Sequence, residues 1–517
     1  MSSLTEIAEA ILANAKSLDQ YTSSQGLPSP SFDCDTLGIL PEEVEAKRKA
    51  LIDDTQTLKR LALGPTGLYH EILSQFTDLL SLRAIYCYDL AKPVPVEGEA
   101  SYEEIAQASH LDLGHTRRFL KHAMTNRLFK ETEEGMVRHT VASRMLVEDP
   151  TLYDFVGLLT DDFHAASIKV IESMKKYPGS EEPNETGFNV EYNTSSPLYV
   201  ELAKDPERMR RFRSGMSFSL RDQGLDLRYL VQGFDWAEID KPGNTVVDVG
   251  GGHGDVTRAL VTSTTSLKLV LQDLPGTIKE AETLFPKDLK HRVTFMPHDF
   301  FSPQPVIGAS VYFFRWILHD WSDKYCVKIL QSLIPGMKDG SKVLLYEYLL
   351  PEMAHLPWSY KMVRNLDMMM KVCWNARLRS VADWQEIFAR AHPAYQFQGV
   401  KRPEGGSMFL IEAVFRPASV SNGASVPPEE AVFKPASVSN VASVPDTKEV
   451  SRLGIKDGLA DVFGSGTNGL VATNGTSTAD GASSANYESL KTLASVEHVV
   501  SITEGGAVVD MNGSNHA

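Results

Sequence analysis

Thr245-Val-Val-Asp-Val-Gly250-Gly-Gly-His-Gly254 is the stretch on which the fold turns. Its first five residues form a short apolar run of the kind that makes a fully buried strand, and the glycines that follow sit where a strand hands over to a helix. Glycine there lets a ligand come close to the backbone, and the first turn of the helix offers unpaired N–H donors. A nucleotide-like cofactor is implied. A dinucleotide site expects G-x-G-x-x-G, whereas here the third glycine comes one position early and Asp255 stands in its place, where it would repel a pyrophosphate.

Working outward, further strand runs follow at Ser266–Gln272, Val293–Met296, Ala309–Phe314 and Lys342–Glu347, with helix-length segments between most of them. Alternating strands and helices predict βαβ units and a parallel sheet with right-handed crossovers. Tyr395–Val400 and Ser407–Val414 read as a closing antiparallel hairpin. In such a sheet ligands gather beyond the carboxyl ends of the strands, so Gly250, Asp273, Asp299 and His319 should face one crevice. Asp273 lies 21 residues past Gly252, where a carboxylate takes both hydroxyls of a ribose. Each residue also has a plainer reading: Asp273 as a helix cap, His319 as a structural histidine, Met368-Met369-Met370 as core.

Upstream, residues 61–235 read as mostly helical, after an N-terminal helical extension over 1–60. Leu73, Phe76, Leu79, Leu80 and Leu82 recur at three and four. Ser101-Tyr-Glu-Glu has the spacing of a capping box, a second helix starts near His115, and Leu128–His139 looks like a hairpin turning at Glu134-Gly135. Two helices and a wing make a winged-helix pattern. Arg117, Arg118 and Lys121 are the basic residues of its second helix, too few to favour DNA over a packing or dimerisation role.

Composition supports this division. The 517 residues are 42% hydrophobic and 23% charged, enough for a substantial core, and 51 basic against 67 acidic residues leave a formal charge of −16. That balance argues against a general electrostatic hold on nucleic acid or anionic membrane. The four cysteines, Cys34, Cys87, Cys326 and Cys373, form no metal-binding or disulfide spacing, which fits a reducing compartment. With no signal-like start and no apolar run of roughly 18 to 20 residues, a cytoplasmic protein is expected. Residues 236–415 are then expected to form the cofactor-binding domain. From 416 to 517 Ser, Ala, Gly, Asn and Val take over, with 11 acidic and 5 basic residues from Pro417 onward, and a disordered low-complexity tail is predicted. It repeats itself once: the phrase beginning Ala413 returns at Ala431 with Lys434 for Arg416 and Val441 for Gly423.

Asp248-Val-Gly-Gly-Gly-His-Gly, Gln272-Asp-Leu-Pro and Arg315-Trp-Ile-Leu-His-Asp-Trp-Ser-Asp together resemble S-adenosylmethionine (SAM) dependent methyltransferases of the caffeic acid O-methyltransferase type, above all the fungal secondary-metabolite members. The similarity spans roughly Leu61 to Phe415. It implies a Rossmann-like class I methyltransferase domain, an N-terminal all-α winged-helix domain used for homodimerisation, no metal, and a small aromatic substrate. By position it implies that Gly250, Gly251 and Gly252 pass the methionine part of SAM, that Asp273 holds the ribose, that Asp299 and Phe300 meet the adenine, and that Arg315 is a further cofactor contact. His319 is then the general base, Glu347 its carboxylate partner, and Trp316, Met362, Met368, Met369 and Trp374 the acceptor pocket. The family usually has a second glutamate beside the base; here Asn375-Ala-Arg-Leu378-Arg379 puts leucine at that place. That departure keeps open a relative that binds SAM as a fixed charge and catalyses a pericyclic or dehydrative step. A third reading is a winged-helix transcriptional regulator, which the net acidity and His319-Asp320 disfavour.

Overall fold

The computed structural model describes residues 3–417, apart from 36, 134, 220 and 354–356. The predicted tail from 418, the second repeat copy and Glu134 of the predicted turn lie outside the described residues.

In the N-terminal region Ser3 caps the helix Leu4–Ser24 in a reciprocal box with Glu6, and this helix packs on the long helix Glu42–Cys87. The long helix is broken at Gly64, which takes φ 64° and ψ 179° just before Pro65, so position 60 falls within it and not at its edge. Next come β1 (Ala100–Ser101), β2 (Lys130–Glu131) and β3 (Met136–Arg138), a small antiparallel sheet in the order β1-β3-β2. Two helices precede β2: Tyr102–Ala108, started by the Ser101–Glu104 capping box, and Leu113–Thr125. Gly135 takes φ 88° where the chain turns from β2 into β3.

The main sheet has seven strands: β4 (Thr245–Val249), β5 (Lys268–Asp273), β6 (Val293–Pro297), β7 (Val311–Arg315), β8 (Lys342–Glu347), β9 (Tyr395–Lys401) and β10 (Phe409–Phe415). Their order is β6-β5-β4-β7-β8-β10-β9. The first five are parallel, and β10 runs antiparallel between β8 and β9, the hairpin expected at the chain's folded end. This is the class I methyltransferase α/β fold, a mixed sheet with helices on both faces.

Alternation along the strands divides the core. On β7, Tyr312 and Phe314 enter one apolar cluster while Val311 and Phe313 enter the other. All five residues of β7 are buried, each large apolar one contributing about 1.5–3 kcal/mol, which is why this strand reads as a continuous apolar run. The first cluster also takes Leu158, Phe163, Phe188, Leu198, Tyr199, Leu202 and Phe212 from the helical region. Residues that read as part of a separate helical segment therefore complete one face of the catalytic sheet.

Candidate active site

Order reverses between β4 and its two neighbours, β5 and β7, so the crevice opens beyond the carboxyl ends of those strands. At its floor the amides of Gly250 and Gly251 donate to the Gln272 carbonyl at 2.8 and 3.1 Å, which presses the glycine loop against β5. A Cβ on Gly251 would lie 2.4 Å from Leu271 Cδ1 and 2.6 Å from Asp248 Cγ, so no larger residue fits there. Beneath the loop Asp248 accepts the Thr257 hydroxyl at 2.7 Å, and burial pushes its carboxyl up to about 6.

Asp273 ends β5. Its Oδ2 accepts the Gly252 N–H at 2.9 Å and its Oδ1 the Leu274 N–H at 2.7 Å, which aims the carboxylate along the crevice. Beyond β6, Asp299 Oδ1 accepts the Phe301 amide at 3.0 Å, while Oδ2 is buried with no hydrogen-bond partner among the described residues. Phe300 is buried beside it and meets Trp321 edge to face. A glycine cradle, a ribose-type carboxylate and an orphaned acceptor fit a nucleoside cofactor such as SAM: Asp273 suits the ribose diol, and Asp299 an exocyclic amine. Arg315 ends β7, buried, its guanidinium 4.7 Å from the centre of the Trp316 ring. Burial pulls its pKa down, against the pull of Asp255, Tyr346 and Asp248.

The chain leaves β7 through Trp316, whose φ of 54° lies in the left-handed region a bulky side chain rarely takes. This sharp turn brings a single 3₁₀ turn, Leu318–Asp320, back over the strand ends. His319 there is sandwiched. Its Nδ1 is 2.9 Å from Glu347 Oε2 and its Nε2 is 3.3 Å from Asp320 Oδ1, with all three residues buried. Glu347 is itself fixed, because its Oε1 accepts the N–H groups of Ile317 and Leu318, each at 3.2 Å. Burial works against a charged imidazole, but the two carboxylates outweigh it, and the His319 pKa stands well above its ordinary value.

A narrow cleft opens beside this group, walled by Leu198, Tyr199, Ile317, Trp321 and Trp374, with Asp320 as its charged edge. Tyr199 donates to Asp320 Oδ2 at 3.3 Å and its ring tilts against Trp374, centroids 5.9 Å apart. Of the five residues expected to line an acceptor pocket, Trp374 is in this wall. Trp316 lies beside His319, ring centroids 6.5 Å apart, and Met369 is half-buried against the same core. Met362 and Met368 do not line the cleft; they are 64% and 62% exposed, because the helix Lys361–Trp374 turns residues 361, 362, 365 and 368 outward together. Leu378, at the place of the family's second glutamate, is 1% exposed in the core. Tyr199, Asp320 and Trp321 were given no role in the site from sequence. Asp320 and Trp321 adjoin His319 and were open to that reading; nothing local marks Tyr199, which lies 121 residues away from its partner.

A family model for the O-methyltransferase domain matches residues 178–392. Chlorophenol O-methyltransferase of Trichoderma longibrachiatum is 35% identical over 417 residues, covering 79% of this chain and 89% of that one. The chain belongs to the O-methyltransferases. O-methyltransferase AMT9 of Alternaria alternata is 36% identical, covering 80% of this methyltransferase and 98% of its own length. The fold is shared with a solved structure described as a pericyclic reaction enzyme, at TM-score 0.60 and 20% identity, covering 79% of this methyltransferase and all of that chain. SAM is the cofactor of this enzyme, and the methyltransferase resembles those of fungal secondary metabolism. Among its described residues no helix is long and apolar enough to cross a membrane.

Proposed function

We propose that this enzyme methylates a phenolic or enolic hydroxyl of a small aromatic secondary metabolite, with His319 as general base. The observation that carries the reading is the imidazole held between Glu347 and Asp320 at the edge of an aromatic-walled cleft. SAM, when bound, supplies a methyl group on a sulfonium, already a strong electrophile. What the protein must add is alignment, proton removal and exclusion of water. A phenol of pKa near ~10 is mostly neutral at pH 7, so its proton has to leave as the oxygen attacks. Nε2 of His319 receives it, and Glu347 on Nδ1 stabilises the imidazolium that results. Trp321, Trp374 and Tyr199 offer flat apolar walls to a ring. Gly250 to Gly252, Asp273, Asp299, Phe300 and Arg315 are the SAM contacts in this reading.

The chain is further proposed to work as a homodimer through its winged-helix-like region. Tyr69, Ile72, Leu73, Phe76 and Leu80 recur at helical spacing and are 52–69% exposed, a single apolar stripe that a second copy would cover. A role on DNA is disfavoured, since Arg117 pairs with Glu103 and Lys121 with Glu131. Sedimentation of wild type and Phe76→Asp tests the dimer; a wild-type monomer removes it.

The activity is tested by incubating the full chain with SAM and a panel of hydroxylated aromatics, chlorinated phenols included, and reading products by mass. A gain of one methylene is expected. SAM bound but never consumed, while an unmethylated product rearranges, would favour the pericyclic alternative to which Leu378 gives its foothold.

A further inference from the structure

Arg379 does not line the cleft, yet its side chain is wholly buried and each nitrogen of its guanidinium has a partner. Nη1 donates to the Leu318 carbonyl at 2.9 Å and Nη2 to the Trp321 carbonyl at 2.6 Å. Those two carbonyls bracket His319 and Asp320. Nε donates to Asp323 Oδ1 at 2.9 Å, Nη2 lies 2.8 Å from the same oxygen, and Nη1 also reaches the Arg377 carbonyl at 3.3 Å. The face of Trp384 lies 5.0 Å away.

The backbone of the same residue reaches the other half of the base. The Arg379 carbonyl accepts the Leu350 N–H at 2.9 Å, and Leu349 and Arg379 form an isolated parallel bridge, two residues beyond Glu347. One residue thus joins the turn that carries His319 to the chain that continues from Glu347. The turn needs such support: it is a lone 3₁₀ turn, closed by backbone bonds of 3.3 Å (Asp320 to Ile317) and 3.2 Å (Trp321 to Leu318). Burying a guanidinium carries a heavy desolvation cost, and an apolar side chain would fill the space more cheaply if filling were the whole task.

We propose that Arg379 is a positioning residue for this reaction, a two-point clamp that sets the His319–Glu347 and His319–Asp320 geometry. Lysine cannot replace it, because one ammonium lacks the planar fork that spans two carbonyls and a carboxylate. The proposal rests on His319 being the base.

The test compares Arg379→Lys, Arg379→Gln, Arg379→Ala and His319→Gln in the full chain, with SAM and whichever hydroxylated aromatic the wild type methylates fastest. The expected result for Lys and Gln is a fall in kcat of about 100-fold, the scale set by a displacement near 1 Å, with KM for SAM and calorimetric affinity for S-adenosylhomocysteine within about threefold of wild type. Added guanidinium should return about tenfold of the rate lost by Arg379→Ala and none of that lost by His319→Gln. Independently of any acceptor, a downfield imidazole proton resonance that disappears in His319→Gln should shift or vanish in Arg379→Lys. Wild-type turnover with an unmoved resonance in the Lys and Gln variants overturns the clamp, as does a rate loss that merely follows lost S-adenosylhomocysteine binding. If His319→Gln keeps turnover, the base assignment falls, and the clamp with it; if His319→Gln is inactive and the Arg379 variants are normal, only the clamp falls.

Discussion

Glu347→Gln changes one atom in the buried pair and should nearly silence the enzyme. The Glu347 oxygen that accepts two amides, from Ile317 and Leu318 at 3.2 Å each, will stay an oxygen in the variant, because an NH₂ group turned toward two N–H donors would forfeit both bonds. The new NH₂ therefore faces His319 Nδ1, 2.9 Å away in the wild type. Nδ1 must then accept, so the neutral ring carries its proton on Nε2, the nitrogen that should receive the acceptor's proton. A wrong tautomer of this kind, with geometry otherwise intact, costs about 10⁴ in kcat in a serine-protease triad. Allowing for a less demanding acid–base step, we expect a fall of about 10³–10⁴, some 4–5.5 kcal/mol at 1.36 kcal/mol per decade. Single-turnover methylation of the best aromatic acceptor, quenched and read by mass, measures the loss, and calorimetry with S-adenosylhomocysteine checks that the cofactor site is untouched. A rate within tenfold of wild type would refute the pairing of Glu347 with a catalytic imidazole.

Other consequences are open to direct measurement. Because the His319 pKa is raised above 6.5 and the base must be neutral, kcat/KM should climb with pH through an acid limb lying above 6.5, and Asp320→Asn, which removes one of the charges that raise it, should move that limb to lower pH. The same shift makes the imidazolium's ion pairs stabilising below about pH 6.5 and lost as pH rises through the folded-state value, so the melting temperatures of wild type and His319→Gln should converge in alkali. Asp273→Ala should weaken SAM binding by about 10–100-fold in calorimetry, the scale of losing a charged acceptor for a diol, while Asp320→Asn leaves it unchanged. Leu378→Glu restores the family's usual residue at a position 1% exposed; we expect about 3 kcal/mol of lost stability at neutral pH and less near pH 5, where the acid takes a proton, and an unchanged melting temperature with faster turnover would contradict this.

The parts of the fold that were legible in the sequence are those where one local rule decides. Apolar runs of strand length became β4, β5, β7 and β8, since burial on both faces leaves few polar positions to confuse the pattern, and the shorter run Val293–Met296 became β6, a half-buried strand at the sheet edge. The glycine loop and the residues that end strands were legible for a similar reason: chain direction alone sends them to one edge of the sheet. Helix phase was harder. Three consecutive methionines cannot all face one way, and the helix turned Met368 outward, left Met369 half-buried and buried Met370. Tyr199 and Arg379 were out of reach because their meaning is a contact: Tyr199 matters through Asp320, and Arg379 through two carbonyls about 60 residues before it that have no signature of their own. The helical region offered periodicity but not partners, so its share in the catalytic core appeared only when Leu158, Phe163 and Phe212 were found against the sheet.

The left-handed backbone at Trp316 has a bearing on any attempt to harden this enzyme. A bulky residue held there costs about 1–3 kcal/mol in backbone strain, yet glycine would give up more than it recovers, because the Trp316 ring is 9% exposed in the core and stacks on Tyr348, and truncating such a side chain costs about 3–5 kcal/mol. A chain without the indole is also free to relax away from the bend that delivers the base to its place, so a loss of half-life should arrive together with a loss of rate. Robustness and speed rest on the same residue, and hardening the enzyme means leaving Trp316 alone and reinforcing the molecule elsewhere.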